Sequence, residues 1–212
     1  MWSVIIPAKR LAVAKTRLRP LTAGTSPSEA GHDRWVLAML TDTVAATLAS
    51  PSVRAVVVVT DEPSAAAAVR ELGATTVPDE PDRGLNPALV HGARFAGSRA
   101  VAALSSDLPA LRAGELTAAL AAAEQAPRCF VADAAGTGTT LLTAVDTVLD
   151  PHFGHGSARA HRDGGARPLA GDWPGLTRDV DDPDDLHAAL ALGVGPRTAA
   201  LAGRLDRPTA CA

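Results

Sequence analysis

Residues 53–59 form an almost uninterrupted apolar run, Val-Arg-Ala-Val-Val-Val-Val, which ends at the polar pair Thr60-Asp61. A strand this apolar requires cover on both faces, which is typical of a parallel strand with helices on either side. Shorter runs of the same kind occupy residues 4–6, 101–104 and 129–132. The sequence therefore predicts strands of a sheet that is buried between helices.

The segments between these runs carry helical patterns. Within residues 28–48, apolar side chains recur every fourth position, which predicts a helix with one face toward the sheet. Residues 64–72 and 113–124 are further Ala-rich helices, and 141–145 adds a strand to a second, β-rich part. This order predicts an α/β protein with a mostly parallel, doubly wound sheet and an additional β element. No linker divides the chain, so we expect one domain over residues 1–212.

Composition limits the function classes. The net charge of −3 gives no reason to expect a nucleic-acid partner. The two cysteines form neither a disulfide framework nor a zinc pattern. No apolar run approaches the roughly 20 residues that span a bilayer, and the N-terminus does not resemble a leader peptide. We expect a soluble cytoplasmic protein without a membrane partner; its oligomeric state stays open.

Polar residues at two strand ends indicate a nucleotide site. Asp107 follows the run at 101–104, and Pro109 cannot continue a central strand because it lacks an amide donor. Ligands of open α/β sheets bind at this edge, so Asp107 is predicted to be a metal ligand. The loop at 9–17 holds four cations, Lys9, Arg10, Lys15 and Arg17. It is either a solvated basic loop or a triphosphate cradle, although it lacks P-loop spacing.

Asp179 and Asp181 form a second acidic element. In an extended segment their side chains project from one face and Val180 from the other, and two adjacent carboxylates repel unless a cation lies between them. Oxygen donors without soft ligands favour Mg²⁺ or Mn²⁺, in a site for one or two ions. Residues 182–185 are predicted to cap a helix at 186–192.

Three turns are candidate parts of the site, and the first two allow two interpretations each. Asn86 and Pro87 suit the N-cap and first position of a helix; alternatively, Gly84 admits a ligand and Asn86 contacts a nucleoside. Residues 136–140, Gly-Thr-Gly-Thr-Thr, are either a hairpin turn or an anion-binding nest. Residues 153–157, Phe-Gly-His-Gly-Ser, place glycine before a possible Ser157 N-cap, which leaves helix N–H groups for an anion. The nearby histidines, among them His155, are more typical of surface or loop residues than of a transition-metal site.

Phosphate-binding cations beside a magnesium site suggest transfer of a phosphoryl or nucleotidyl group. The motifs involved are Val4-Ile-Ile-Pro-Ala-Lys-Arg10, Lys15-Thr-Arg-Leu18, Gly84-Leu-Asn-Pro-Ala88, Ser105-Ser-Asp-Leu-Pro109, Gly138-Thr-Thr140, Phe153-Gly-His-Gly-Ser157 and Thr177-Arg-Asp-Val-Asp181. Together they resemble the CofC/FbiD guanylyltransferases of coenzyme F420 biosynthesis, which join GTP to a small phosphorylated acid. The resemblance covers about residues 2–192.

The resemblance implies a Rossmann-like nucleotidyltransferase fold and a role for each matching position. Its implied Mg²⁺ ligands are Asp107, Asp179 and Asp181. Its implied acceptor site is Thr139, Gly154 and Ser157; its triphosphate loop is Lys9, Lys15 and Arg17; and its nucleoside side is Gly84 and Asn86. Lys15 and Asp107 are the implied catalytic groups. His155 stands where the resemblance leads us to expect proline or a small residue, but the flanking glycines are kept.

The expected reaction transfers GMP from GTP to phosphoenolpyruvate, giving enolpyruvyl-diphospho-guanosine and pyrophosphate. A phosphate monoester is largely ionised at neutral pH, because its second pKa is about 6, so the nucleophile needs no general base. The alternative acceptors are 2-phospho-L-lactate and 3-phosphoglycerate. The alternative of a different class is a nucleotide-binding sensor without catalytic activity.

Overall fold

A computed structural model describes residues 1–9, 16–18, 30–80 and 83–205. Seven strands join in one sheet with the order β3-β2-β1-β4-β6-β5-β7. The strands are β1 (Trp2–Pro7), β2 (Val53–Val59), β3 (Thr75–Val77), β4 (Ala100–Leu104), β5 (Arg128–Ala132), β6 (Thr139–Val145) and β7 (Arg167–Pro168).

The sheet is parallel except at β6. Strand β1 pairs in parallel with β2 and β4, β2 with β3, and β5 with β7, whereas β6 runs antiparallel to both β4 and β5. Strands β5 and β6 are joined by a short hairpin, which only an antiparallel pair permits. The predicted α/β sheet, mostly parallel with an additional β element, is confirmed.

The helices of the described residues match most of the predicted ones within a few residues. They are a 3-10 helix at Thr16–Leu18 and the α-helices α1 (Ala30–Leu48), α2 (Pro63–Glu71), α3 (Leu85–Ala96), α4 (Ala113–Ala123), α5 (Ser157–Asp163), α6 (Pro174–Thr177), α7 (Pro183–Leu192) and α8 (Pro196–Leu205). The first two residues of the helix predicted at 28–48 lie outside the described residues. None of the helices in the described ranges has the length and apolar character needed to cross a bilayer.

Helix α8 was not predicted, because its stabilising contact comes from a remote part of the chain. The buried carboxylate of Asp42, on α1, accepts hydrogen bonds from the backbone N–H groups of Arg197 and Thr198, at 3.2 and 2.8 Å. These donors belong to the first turn of α8, where backbone N–H groups lack partners within the helix. Asp42 therefore caps a helix more than 150 residues away in sequence.

Apolar side chains fill both faces of the sheet. Along β1, Val4 and Ile6 belong to one buried cluster and Ile5 to the other. Along β2, Val56 and Val58 alternate in the same way with Val57 and Val59. This confirms the two-sided cover expected from the apolar run at 53–59. A third, smaller cluster includes Trp35 and Val180.

Two predicted helix caps are wrong by one or two positions, and one is confirmed. Helix α3 has Gly84 as its N-cap, at φ +99°, so Asn86 and Pro87 lie inside its first turn. Helix α5 has Gly156 as its N-cap, at φ +71°, and Ser157 is its first residue. Both glycines adopt positive φ angles that L side chains rarely take, so the N-cap position at these two helices favours glycine. The general preference of Asn and Ser for the N-cap position therefore pointed to the wrong residues. Asp182 caps α7 as expected, accepting from the amides of Asp184 and Asp185.

Candidate active site

A cleft of about 610 Å³ opens at the carboxyl ends of β1 and β4. This is the edge at which open α/β sheets bind ligands, and it is where the sequence placed the site. Most of the predicted site residues that the structure describes line it. They are Lys9, Arg17, Asp107, Thr139, Gly154, Ser157, Asp179 and Asp181.

Asp107 and the segment at 179–181 are joined directly through the backbone. The N–H of Val180 donates to the carbonyl oxygen of Asp107 at 3.1 Å. The following amide, that of Leu108, donates to Oγ1 of Thr43 on α1 at 3.0 Å. Asp107 is buried, with 8% of its surface exposed. The acidic residue after β4 is thus held between α1 and the second acidic segment.

Asp179 and Asp181 both line the cleft, while Val180 between them is fully buried in the third cluster. The predicted alternation of side chains along this segment is confirmed. The N–H of Asp181 also donates to the carboxylate of Asp185 on α7, at 3.1 Å. The start of α7 therefore helps to hold this segment at the edge of the sheet.

The three carboxylates share one cleft but do not form a metal cage made by protein alone. Among the described residues, no three His, Cys, Asp or Glu side chains are close enough to hold a metal ion by themselves. Magnesium in phosphate chemistry typically takes one or two protein carboxylates and completes its shell with water and substrate phosphates. The oxygen donors of Asp107, Asp179 and Asp181 fit such an ion.

The basic side of the cleft begins directly after β1. Lys9 and Arg17 are exposed residues that line the cleft. The backbone continues the sheet up to this point, since the N–H of Ala8 donates to the carbonyl of Val59 at 2.9 Å. Lys15 lies outside the described residues, so its place in a triphosphate loop stays a prediction. Positive and negative side chains therefore meet at the same opening.

On another side of the cleft, Thr139 at the start of β6 contacts Ser157 at the start of α5. The hydroxyl of Ser157 donates to Oγ1 of Thr139 at 3.1 Å, and the two side chains are 1% and 6% exposed. Gly154, at φ +134°, lines the cleft beside them, as does His155. The structure thus brings together the three residues that the resemblance implied for the acceptor.

His161 on α5 completes this group, although sequence reasoning gave it no role. Its Nδ1 lies 2.9 Å from Oγ1 of Thr139, and its Nε2 accepts the backbone N–H of His152 at 2.9 Å. Burial, together with the nearby charge of His152, lowers the pKa of His161 to about 4, while Asp150 opposes the shift. The ring is therefore neutral at physiological pH.

The turn at 136–140 is a β5–β6 hairpin, as one of its two interpretations predicted. The anion-nest interpretation is wrong at Thr137, because its N–H donates to the carboxylate of Asp133 at 2.9 Å. A Cβ at Gly138 would collide with the same carboxylate, so a larger residue there would displace the Asp133 side chain. Asp133 also lines the cleft. Asp133 therefore holds the turn in shape through its carboxylate, a role that was not predicted from the sequence.

Neither Gly84 nor Asn86 lines the cleft, although Leu85 between them does. The side-chain amide of Asn86 instead bonds to both backbone groups of Phe153, across 67 residues of sequence. It holds the turn at 153–157 against α3. The contact of Gly84 and Asn86 with the nucleoside stays a prediction.

Comparison with known proteins agrees with this geometry. Residues 2–200 match the family described as "Guanylyl transferase CofC like". A phosphoenolpyruvate guanylyltransferase from Geodermatophilus obscurus is 70% identical over 98% of this chain and 97% of its own. One from Salinispora arenicola is 52% identical over 96% of this chain and 94% of its own.

Two solved structures share the fold at low identity. A nucleotidyl transferase from Methanothermobacter thermautotroptrophicus has a TM-score of 0.64 and 18% identity, covering 91% of this chain and 97% of its own. A CMP:2-keto-3-deoxy-manno-octonic acid synthetase complexed with CTP has a TM-score of 0.59 and 15% identity, covering 90% of this chain and 97% of its own. The fold is thus that of nucleotidyltransferases. With its family match across nearly the whole sequence, the chain belongs to the CofC-like guanylyl transferases.

Proposed function

We propose that this protein transfers GMP from GTP to phosphoenolpyruvate. A phosphate oxygen of the acceptor attacks the α-phosphorus of GTP, the bond from that phosphorus to the bridging oxygen breaks, and pyrophosphate leaves. The observation that carries the proposal is one cleft with cations after β1, a carboxylate after β4, two more carboxylates between α6 and α7, and hydroxyls at the starts of β6 and α5. The name shared by relatives at 70% and 52% identity supports phosphoenolpyruvate as the acceptor.

The chemistry needs positioning and neutralisation of charge more than proton transfer. The acceptor phosphate is already largely ionised, so no base must activate it. Lys9, Lys15 and Arg17 would bind the triphosphate and stabilise the charge that develops on the leaving pyrophosphate. Holding the two substrates in line converts a bimolecular reaction into an effectively unimolecular one.

Mg²⁺ would be held by Asp107, Asp179 and Asp181, with Mn²⁺ as a substitute. When bound, the ion supplies positive charge to phosphate oxygens. Two phosphorylated substrates otherwise repel each other, and the repulsion grows in a partly buried cleft where the effective dielectric constant is low.

The acceptor would lie against Thr139, Gly154 and Ser157, which present hydroxyl and backbone groups to its carboxylate and phosphate. The motif resemblance assigns this reaction to coenzyme F420 biosynthesis, and we propose that role for it.

The deciding experiment incubates the purified protein with GTP, Mg²⁺ and each of phosphoenolpyruvate, 2-phospho-L-lactate and 3-phosphoglycerate, and measures pyrophosphate. We expect the fastest release with phosphoenolpyruvate. Faster release with another acid would reassign the acceptor. No release with any of the three, together with GTP binding that is equally tight with and without Mg²⁺, would instead identify a nucleotide-binding sensor.

A further inference from the structure

His161 is a buried group that the proposed chemistry does not use. Its side chain is 1% exposed, it does not line the cleft, and both ring nitrogens have hydrogen-bond partners. Three aromatic rings surround it, with centroids 5.9 Å away at Phe130, 5.9 Å at His152 and 5.2 Å at Phe153. The ring is therefore held in one orientation.

The partner of Nε2 determines which nitrogen carries the proton. The backbone N–H of His152 can only donate, so Nε2 of His161 must be the unprotonated acceptor. The proton of the neutral ring then lies on Nδ1, and Nδ1–H donates to Oγ1 of Thr139. One backbone group thereby selects the tautomer.

This tautomer determines what the neighbouring hydroxyls can offer a ligand. Oγ1 of Thr139 accepts one hydrogen bond from His161 and one from the hydroxyl of Ser157. Both lone pairs of the Thr139 oxygen are therefore used. The hydroxyl proton of Thr139 is then left for an acceptor atom in the cleft. With the opposite tautomer, Thr139 would donate to the ring and Ser157 to Thr139, and neither proton would be available to a ligand.

We propose that His161 is a positioning residue that keeps the Thr139 hydroxyl as a hydrogen-bond donor to an anionic oxygen of the acceptor substrate. The inference rests on the proposed function, because it places the phosphorylated acid beside Thr139. His161 acts through Thr139 and does not touch the substrate. The titratable groups near His161 are His152 and Asp150. The guanidinium of Arg162 lies 5.9 Å from the centroid of the Phe130 ring, which itself packs near His161.

The test compares His161→Asn with His161→Leu. Both replacements branch at Cγ, as the imidazole ring does, but only the amide can place an N–H near the position of Nδ1. We expect His161→Leu to raise KM for phosphoenolpyruvate roughly tenfold, as for a lost buried hydrogen bond, with KM for GTP unchanged. His161→Asn should restore much of the affinity for phosphoenolpyruvate. Equal KM values in the two variants would overturn the proposal, since a merely structural role does not distinguish them.

A double-substitution cycle provides a second readout. Thr139→Val alone should raise KM for phosphoenolpyruvate, and adding His161→Leu should raise it little further, because the hydroxyl through which His161 acts is already absent. Independent, multiplicative effects would contradict action through Thr139. If His161→Leu does not fold, His161→Met serves instead, since it also lacks an N–H and its flexible chain adapts to the space.

Direct binding of phosphoenolpyruvate, measured by calorimetry with a non-hydrolysable GTP analogue and Mg²⁺ present, separates this inference from the proposed function. Wild-type protein that binds the acid without releasing pyrophosphate from GTP would contradict the proposed function alone. The same binding series would still decide the role of His161. Absence of binding to the wild-type protein would contradict both.

Discussion

The side-chain amide of Asn86 and the backbone of Phe153 form a reciprocal pair of hydrogen bonds. Nδ2 donates to the Phe153 carbonyl at 3.1 Å, and the Phe153 N–H donates to Oδ1 at 2.8 Å. The pair ties the first turn of α3 to the turn at 153–157, which carries Gly154 and Ser157 into the cleft. Asn86 thus supports the acceptor side of the site.

Replacing Asn86 with Ala should therefore affect the acceptor more than the nucleotide. Two hydrogen bonds worth about 1 kcal/mol each are lost, so KM for phosphoenolpyruvate should rise roughly tenfold or more, with a smaller change for GTP. Asn86→Asp keeps the acceptor for the Phe153 N–H but loses the donor to the Phe153 carbonyl. Its KM for phosphoenolpyruvate should therefore lie between that of the wild type and that of Asn86→Ala. A larger rise in KM for GTP would instead place Asn86 on the nucleoside.

Asp107→Asn should abolish turnover and leave the fold intact. Two of the hydrogen bonds that hold this segment run through the Asp107 carbonyl and the Leu108 N–H, which the substitution does not change. We expect kcat to fall at least about 100-fold, as when a group that stabilises transition-state charge is removed. Asp172→Asn, at an exposed position outside the cleft lining, is the control. Near-normal activity of Asp107→Asn would remove Asp107 from the metal site.

Removal of divalent metal should stop the reaction, and Mg²⁺ or Mn²⁺ should restore it. Because Asp179 and Asp181 line the cleft beside Asp107, Asp179→Asn and Asp181→Asn should each raise the Mg²⁺ concentration that gives half-maximal activity. The measurement is initial rate against free Mg²⁺ after chelation. Unchanged Mg²⁺ dependence in both variants would show that these carboxylates do not bind the ion.

His161 should make the stability of the protein depend on pH. Burial lowers its pKa from 6.5 to about 4 in the folded state, so between these values the unfolded chain binds more protons than the folded one. The free energy of unfolding should therefore fall as the pH falls from 6.5 to about 4. Above this window His161 is neutral in both the folded and the unfolded chain, so the stability that its burial as a neutral ring allows is fully present. Urea unfolding of wild type and His161→Asn at several pH values measures this, and the variant should show the weaker dependence. Parallel curves would exclude His161 as a source of the pH dependence.

Helix α3 packs closely on the sheet at Gly92. A Cβ there would lie 2.7 Å from a methyl carbon of Val59 and even closer to one of Ile5. Gly92→Ala should lower the free energy of unfolding by about 1–3 kcal/mol, as overpacking of a filled core does. Gly114 on α4 is the matched control, because its Cβ would meet nothing within 4 Å. Gly114→Ala should be neutral or stabilising by at most about 1 kcal/mol, and equal losses in both would contradict the packing argument.

Features that depend on one segment were predictable from the sequence. Side-chain alternation along an extended chain put Asp179 and Asp181 on one side and buried Val180 on the other. Asp182 caps α7 because its carboxylate reaches amides two and three residues ahead. The strand that precedes Asp107 was recognisable from its apolar run, and the edge where its ligand site opens follows from parallel sheet geometry.

The sequence by itself therefore determined most of the strands, though not β7, as well as the sheet class and the edge where charged residues gather, because each follows from a backbone repeat within a few residues. Only the tertiary structure decided the partners of buried and half-buried polar groups. Asn86 bonds to Phe153, Asp42 caps α8, and His161 takes its tautomer from the His152 backbone and donates its Nδ1–H to Thr139. A polar group that folding removes from water must bond to whatever donor or acceptor packing brings near. For the half-buried Asn86 and the buried Asp42, that partner lies far away in sequence.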